Sequence, residues 1–466
     1  MTADLFELSA RQIADAVRSG RFTATVVAEA FLGRIEAVNA KINAYTLVTA
    51  DRALAEAGRV DAAIAAGEDP GPLAGAPYAV KNLFDLEGEV TVAGSKINRD
   101  DPPAAGDATL VARLAKAGAV CLGATNMGEY AYDFVTINAH DGATRNPHDL
   151  SRSAGGSSGG SGAAVAAGLA SFSLGTDTNG SVRVPSSFCG VWGLKPTYSL
   201  LSRAGVYPFV ASLDTVGTFA RSVADLARSL DVMAGPDPRD PDCGRLPAPP
   251  SEPDIDLGAK GIRVATLGGY FARGWSPELA AAIASVAEAL HAGPEMELPR
   301  PDIARGAAFS ITAAEAGEFH RRRLSTRAAD FDPASRDRLI AGLLAPAAWY
   351  LKAQRFRDWW KGEVARVFQD VDVLIAPATP MVAPGLDEQT FEFDGATLPL
   401  RANVGLFTQP ITLVGLPVLA APVHRPGQMP TAVQLIGRPN SEAILVRVAR
   451  ELELKGVCQA PLGLAV

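Results

Sequence analysis

Ser153-Ala-Gly-Gly-Ser-Ser-Gly-Gly-Ser-Gly162 runs without a break into Ala163-Ala-Val-Ala-Ala-Gly-Leu-Ala170. Phe172-Ser-Leu-Gly175 and Thr176-Asp-Thr-Asn-Gly-Ser-Val-Arg-Val-Pro185 follow directly. Read alone, the glycine-serine piece has the composition of a flexible linker. Its continuation argues otherwise: residues 163–170 are small and apolar at helical spacing, and residues 172–175 read as a buried strand. A glycine stretch leading into a helix turns backbone N–H groups toward an anion or a polarised carbonyl. The segment is therefore read as part of a packed site.

Outward from this stretch, strand and helix patterns alternate. Tyr78-Ala-Val80 reads as a short buried strand, residues 109–118 as an amphipathic helix and residues 119–123 as a second strand. Later strands are read at 262–266, 371–376 and 417–421, and helices near 277–291, 342–368 and 441–454. Such alternation predicts an α/β fold with a largely parallel, buried sheet. Residues 1–68 are expected to be helical and to pack on a core formed by 69–466, with Ser9 and Thr23 as N-caps. Residues 235–253 carry seven prolines and are read as a surface excursion or linker.

Composition removes several kinds of function. The net charge is −8, and no basic run offsets it, so nucleic acid is not an expected partner. Four scattered cysteines and five scattered histidines make neither a disulfide framework nor a ligand pair with metal spacing. No metal site or cofactor is expected. Nothing approaches the ~20 apolar residues of a membrane span, and the start of the chain has no signal-peptide pattern, so a cytoplasmic enzyme is the expectation.

Gly155-Gly-Ser-Ser-Gly159 fits the letters of a nucleophile elbow, but no strong strand precedes it and the later histidines are few. No lysine follows these glycines, which excludes a P-loop. A serine nucleophile without histidine needs another base. A lysine serves if burial makes it neutral, because desolvation disfavours the ammonium ion. Lys81, at the end of the apolar run 76–80, is the candidate.

Together, PYAVKN, GGSSGGS and GTDTNGSVRVPSSFCGVWGLKPT, in this order and separation, resemble the amidase signature family. The resemblance covers roughly residues 70–230, with further similar pieces at 212–227, at 372–380 and in the C-terminal helix. It implies the amidase signature fold: a central mixed, largely parallel sheet covered by helices on both faces. It also implies Lys81 as base, Ser157 as a bridging serine after a cis peptide bond, and Ser181 as nucleophile. The amides of Thr178, Asn179, Gly180 and Ser181 become the oxyanion hole, with Asp177, Arg183 and Ser158 behind them. For Asp177 and Arg183 an ordinary ion pair is the alternative. Asn179 departs from the Gly or Ala often found at its position. Gly156, Met127 and Tyr132 resemble residues near the substrate pocket, though a buried tyrosine is the alternative for Tyr132.

Within the family, YAVKNLFDLEG, AGSKINRD and FTQPITLVGLPV are most similar to members that hydrolyse a small acyl-urea bearing a carboxylate and release ammonia. Such members imply a small helical partner subunit, similar to the C subunit of tRNA-dependent amidotransferases, and homodimerisation. Arg401 is the candidate for the substrate carboxylate, with a surface arginine as the alternative. Other readings are the A subunit of a glutamine-dependent tRNA amidotransferase, another small-amide amidase (oxalurate, allophanate or aryl-acetamide type) or a non-catalytic assembly protein.

Overall fold

Tyr78, Ala79 and Val80 alternate across one strand: Tyr78 and Val80 enter one hydrophobic core and Ala79 the other. This is the two-residue period of a strand buried on both faces. A computed structural model describes residues 3–244 and 249–463 of the chain. Its central sheet has eleven strands. In chain order they are β1 (Tyr45–Val48), β2 (Pro77–Lys81), β3 (Val120–Thr125), β4 (Phe172–Asp177), β5 (Trp192–Lys195) and β6 (Thr215–Ala220). The remainder are β7 (Val264–Leu267), β8 (Gly293–Met296), β9 (Val373–Pro377), β10 (Val418–Val423) and β11 (Thr431–Gly437). The spatial order is β1-β3-β2-β4-β6-β5-β10-β11-β9-β7-β8.

The expected parallel majority is not found. Parallel pairing is confined to β3-β2-β4 and β9-β7-β8, whereas the middle of the sheet, from β4 through β6, β5, β10 and β11 to β9, is antiparallel. The reason lies in β5, β6 and β11, short or glycine-bearing strands whose period-two pattern is weak, so only the strand-helix-strand units stand out in the sequence. The sheet is mixed.

Helices cover both faces. Helices α1 (Ala10–Arg18), α2 (Ala24–Ile42), α3 (Ala50–Ala65) and α5 (Gly159–Ala166) share a core with Ala79. Helices α4 (Thr109–Lys116) and α7 (Val223–Met233) pack with Tyr78 and Val80. Helix α6 (Arg183–Cys189) follows the turn after β4 and lies against β10 and β11. Ser9 caps α1 in a reciprocal capping box with Gln12, and Thr23 accepts from the Val26 amide at the start of α2. Within the segment expected to be helical, residues 45–48 instead form β1, which pairs antiparallel with β3 at the sheet edge. The buried Asp225 carboxylate of α7 accepts the Ala10 and Arg11 amides, which fastens α1 to the body.

Beyond α8 (Pro277–Ala289), a long helix α9 (Pro301–Arg327) packs with α10 (Pro333–Leu343) and α11 (Ala347–Val367). The helix expected over 342–368 begins at Ala347 because Pro346 has no amide proton and disfavours helical geometry in the residue before it. The chain closes with α12 (Glu442–Leu454). Of the proline-rich excursion, residues 245–248 lie outside the described residues. The part before them is fastened rather than loose: Asp237 accepts from Ser202 and Thr109, and Asp240 pairs with Arg203. No described helix is long and apolar enough to cross a membrane, and no group of side chains able to hold a metal ion occurs among the described residues.

Gly123 marks the join between β1 and β3. Its φ is +140°, and a Cβ there would run into the Leu47 carbonyl. Gly123→Ala is expected to lower stability by about 2 kcal/mol. In hydrogen exchange, protection should be lost first over 45–48; unchanged protection there would contradict the role given to this edge.

Candidate active site

The parallel pairing of β2 with β4 sets Val80 beside Leu174, so the chain ends of both strands emerge together. Lys81, the last residue of β2, is completely buried. Its Nζ donates to Ser157 Oγ at 2.7 Å and to Thr176 Oγ1 at 2.9 Å. No carboxylate lies within ion-pair distance of it among the described residues. Burial therefore dominates and lowers Lys81 to about 7, while the more distant Asp214, Asp177 and Asp133 offset part of the effect. At neutral pH a large share of this amine is uncharged.

Ser157 stands one residue before the N-cap of α5, and the Gly156–Ser157 peptide is cis. Gly156 lies against the backbone of Phe134 and Thr136. Ser158 Oγ donates to the Thr176 carbonyl and accepts the Thr176 amide, which ties the start of α5 to the end of β4. The glycine-serine stretch is thus packed backbone throughout, and every residue from 153 to 170 is buried.

Between β4 and α6 the chain makes a tight turn, Asp177 to Val182. Asp177 Oδ1 accepts the Gly180 amide at 2.8 Å, and Oδ2 accepts those of Val182 and Arg183. The Arg183 guanidinium meets the same carboxylate at 2.9 Å, with both side chains fully buried. Burial alone would raise the Asp177 carboxyl, but the charge and hydrogen bonds of Arg183, with Lys195 beyond, carry it below its ordinary value. Arg183 spends its other donors on the Thr408 carbonyl, Gln434 and Thr412. The pair is an ion pair and a brace at once. Gly180 has φ +135° and leaves no room for a Cβ against Thr408, whose hydroxyl donates to the Asn179 carbonyl.

One expectation is corrected here. The Gly180 N–H is committed to Asp177, so it is not available to a substrate oxyanion. The amides of Thr178, Asn179 and Ser181 have no protein acceptor among the described residues.

Ser181 faces a narrow cavity together with Thr178, Asn179, Tyr132, Phe209 and Arg338. No hydrogen bond joins Ser181 to Ser157 in this structure. Tyr132 belongs to the cavity wall, its ring tilted against Phe209 and covered by the Arg338 guanidinium, which lies 3.6 Å from its ring centre. Met127 does not: it is buried beneath Gly94, its carbonyl bound by Asn138. Arg401 does not line it either; it pairs at 3.2 Å with Asp133, a wall residue, so its charge is already matched there. The cation in the wall is Arg338, whose hydrogen bond goes to the Tyr132 carbonyl and which has no carboxylate partner among the described residues.

Asp214 also went unmarked in the sequence. It accepts the Thr178 hydroxyl at 2.6 Å and the Phe209 and Val210 amides, joining the turn to the cavity wall. The signal for Asp214 was its place in the SLDTVG piece; Arg338, on a helix far along the chain, carried none.

Comparison with known proteins bears on the family and the fold. The family described as Amidase matches residues 26–446. The AtzE subunit of 1-carboxybiuret hydrolase from Pseudomonas sp. (strain ADP) is 51% identical over 96% of this chain and 98% of its own. The A subunit of glutamyl-tRNA(Gln) amidotransferase from Moorella thermoacetica is 38% identical over 97% of each chain. A solved structure described with the words "an unexpected vestigial protein complex reveals the evolutionary origins of an s-triazine catabolic enzyme" superposes with a TM-score of 0.96 at 50% identity, covering 97% of this chain and 99% of that one. That of 6-aminohexanoate cyclic dimer hydrolase gives 0.86 at 30% identity, covering 97% of each.

Arg183→Met leaves Asp177 as a buried charge without its partner. The expected loss of stability is about 3–5 kcal/mol in denaturant unfolding; a loss under about 1 kcal/mol would mean that the amides alone hold the carboxylate.

Proposed function

The chain belongs to the amidase signature family, a family of amide-cleaving hydrolases, and on that premise we propose that it works through an acyl-enzyme on Ser181. The observation that carries this reading is the buried Lys81 amine in contact with Ser157, uncharged in large part at neutral pH, beside a turn that presents Ser181 to a cavity. Lys81 accepts the Ser157 proton as Ser157 takes that of Ser181, and Ser181 Oγ bonds to the amide carbon. The amides of Thr178, Asn179 and Ser181 receive the developing oxyanion, a contribution of about 3–4 kcal/mol for a well-placed donor. The C–N bond then breaks, Ser157 returns the proton to the leaving nitrogen, and ammonia departs. Water, deprotonated along the same path, releases the acid.

For the substrate we propose a small acyl-urea carrying a carboxylate. A relative named 1-carboxybiuret hydrolase supports this, and so does Arg338, a cavity-wall guanidinium without a carboxylate of its own. Arg305 adds to the positive field: its donors end on Gln409, Asn403 and a carbonyl, not on an acid. A local cationic site is what an acidic protein needs in order to draw an anion. The similarity to the A subunit of an amidotransferase favours a second reading, with glutamine as the amide.

We further propose that the chain works with a small helical partner protein and pairs with a second copy, in the cytoplasm. The description of a similar structure as a protein complex supports the first part. Leu344, Trp349, Leu351 and Trp359 support it too, since all four are exposed on the α10–α11 side of the molecule. Four buried free cysteines suit a reducing compartment.

Ammonia release is the direct test, measured on 1-carboxybiuret, oxalurate, biuret, indoleacetamide and glutamine. Carboxylated acyl-ureas should lead, and Ser181→Ala should abolish turnover while leaving the fold intact. Arg338→Leu should lower kcat/KM roughly 10–100-fold on the carboxylated substrates and much less on biuret. Preference for glutamine would favour the second reading; a Ser181→Ala variant with normal turnover would overturn the nucleophile.

A further inference from the structure

Asn179 is 7% exposed and forms part of the wall beside Ser181. Its Nδ2 donates to Thr312 Oγ1 of α9 at 2.9 Å, and its backbone carbonyl is pinned by Thr408. Its Oδ1 has neither a protein donor among the described residues nor contact with solvent. Thr312 is the only side-chain partner of this carboxamide among the described residues, so one end stays unmatched whichever way the amide is turned; as placed, it is the oxygen.

A buried acceptor without a donor is uncommon, because it has given up its water for nothing in return. Most unmatched buried atoms among the described residues, such as Tyr78 Oη and Trp192 Nε1, belong to residues away from the cavity. Asn179 is different. One neighbouring space is the one that a substrate fills, and its own backbone amide is a candidate oxyanion donor, so its side chain lies within one residue's reach of the reacting carbonyl.

We propose that Asn179 is a specificity-determining residue whose side-chain oxygen accepts an N–H from the substrate, so that the site selects ureido amides over amides with a methylene in the same place. This rests on the acyl-urea reading and deepens it. A urea nitrogen flanked by two carbonyls offers one N–H in the plane of the scissile amide, whereas the carbon isostere offers none. A site that buries an acceptor discriminates by leaving it unpaired when the wrong substrate binds. Thr312, itself in the cavity wall, holds Nδ2 and so fixes which end of the carboxamide is left without a partner.

The test uses allophanate and malonamate, a carboxylated urea and its methylene isostere. Binding is measured by calorimetry in the Ser181→Ala protein, where neither is consumed. Allophanate should bind at least about tenfold more tightly. Adding Asn179→Ala, which keeps the backbone amide, should bring the two within about twofold, chiefly by weakening allophanate. Thr312→Val should reduce the preference in the same sense without touching the turn. A preference that survives Asn179→Ala, or Ser181→Ala protein that does not distinguish the two compounds, overturns the proposal. Wild-type turnover of carboxylated acyl-ureas is measured alongside. Turnover without N–H discrimination sinks this inference alone, whereas no turnover sinks the reading beneath it.

Discussion

A lysine sealed from water, with hydroxyls instead of carboxylates for neighbours, is the constraint around which this protein is arranged. Charging Lys81 means placing an ammonium ion where, among the described residues, only Ser157 and Thr176 hydrogen-bond to it. Had Asp214 or Asp177 been brought into contact, the amine would be held in its charged form and could not take a proton. Instead both acids are occupied elsewhere. Asp177 is neutralised by Arg183 and three amides, and Asp214 accepts the Thr178 hydroxyl and two amides of the cavity wall. Their distance leaves Lys81 close to the midpoint of its titration at neutral pH.

The same side chains that spare Lys81 shape the turn that carries Ser181. Asp177 draws in the Gly180, Val182 and Arg183 amides, while Thr408, from a segment more than two hundred residues later, closes on the outer side of Gly180. A rigid, pre-oriented set of donors is the arrangement that favours a transition state over a ground state. It depends on β4, β10 and β11 lying in one sheet, since Arg183 reaches Gln434 on β11 and the segment before β10.

Much of this could be read from residue order alone. The glycine-serine stretch, with small apolar residues packed directly after it, signalled a built site. Ser9 and Thr23 announced their caps through local chemistry that needs no tertiary context. Other features were hidden for physical reasons. The middle of the sheet is antiparallel, yet β5 and β6 are short and interrupted by glycine, which erases the two-residue pattern. Nothing near Gly180 indicated that its amide would be taken by Asp177, because a side chain three residues back can turn either way. Arg401 looked suitable by position but meets Asp133 in space, and Arg338 reaches the cavity only because α10 folds back over the Tyr132 loop.

Acylation as a function of pH tests the central claim most directly. In the proposed mechanism the burst of ammonia in the first turnover reports the step in which Lys81 accepts a proton, separate from deacylation. With Lys81 lowered by burial to about 7, its rate should climb as pH rises through about 7 and level off above about 8, since only the neutral amine acts. A burst rate that is flat from about pH 5 to about 9, or that rises only near the ordinary lysine value of 10.5, would contradict the account.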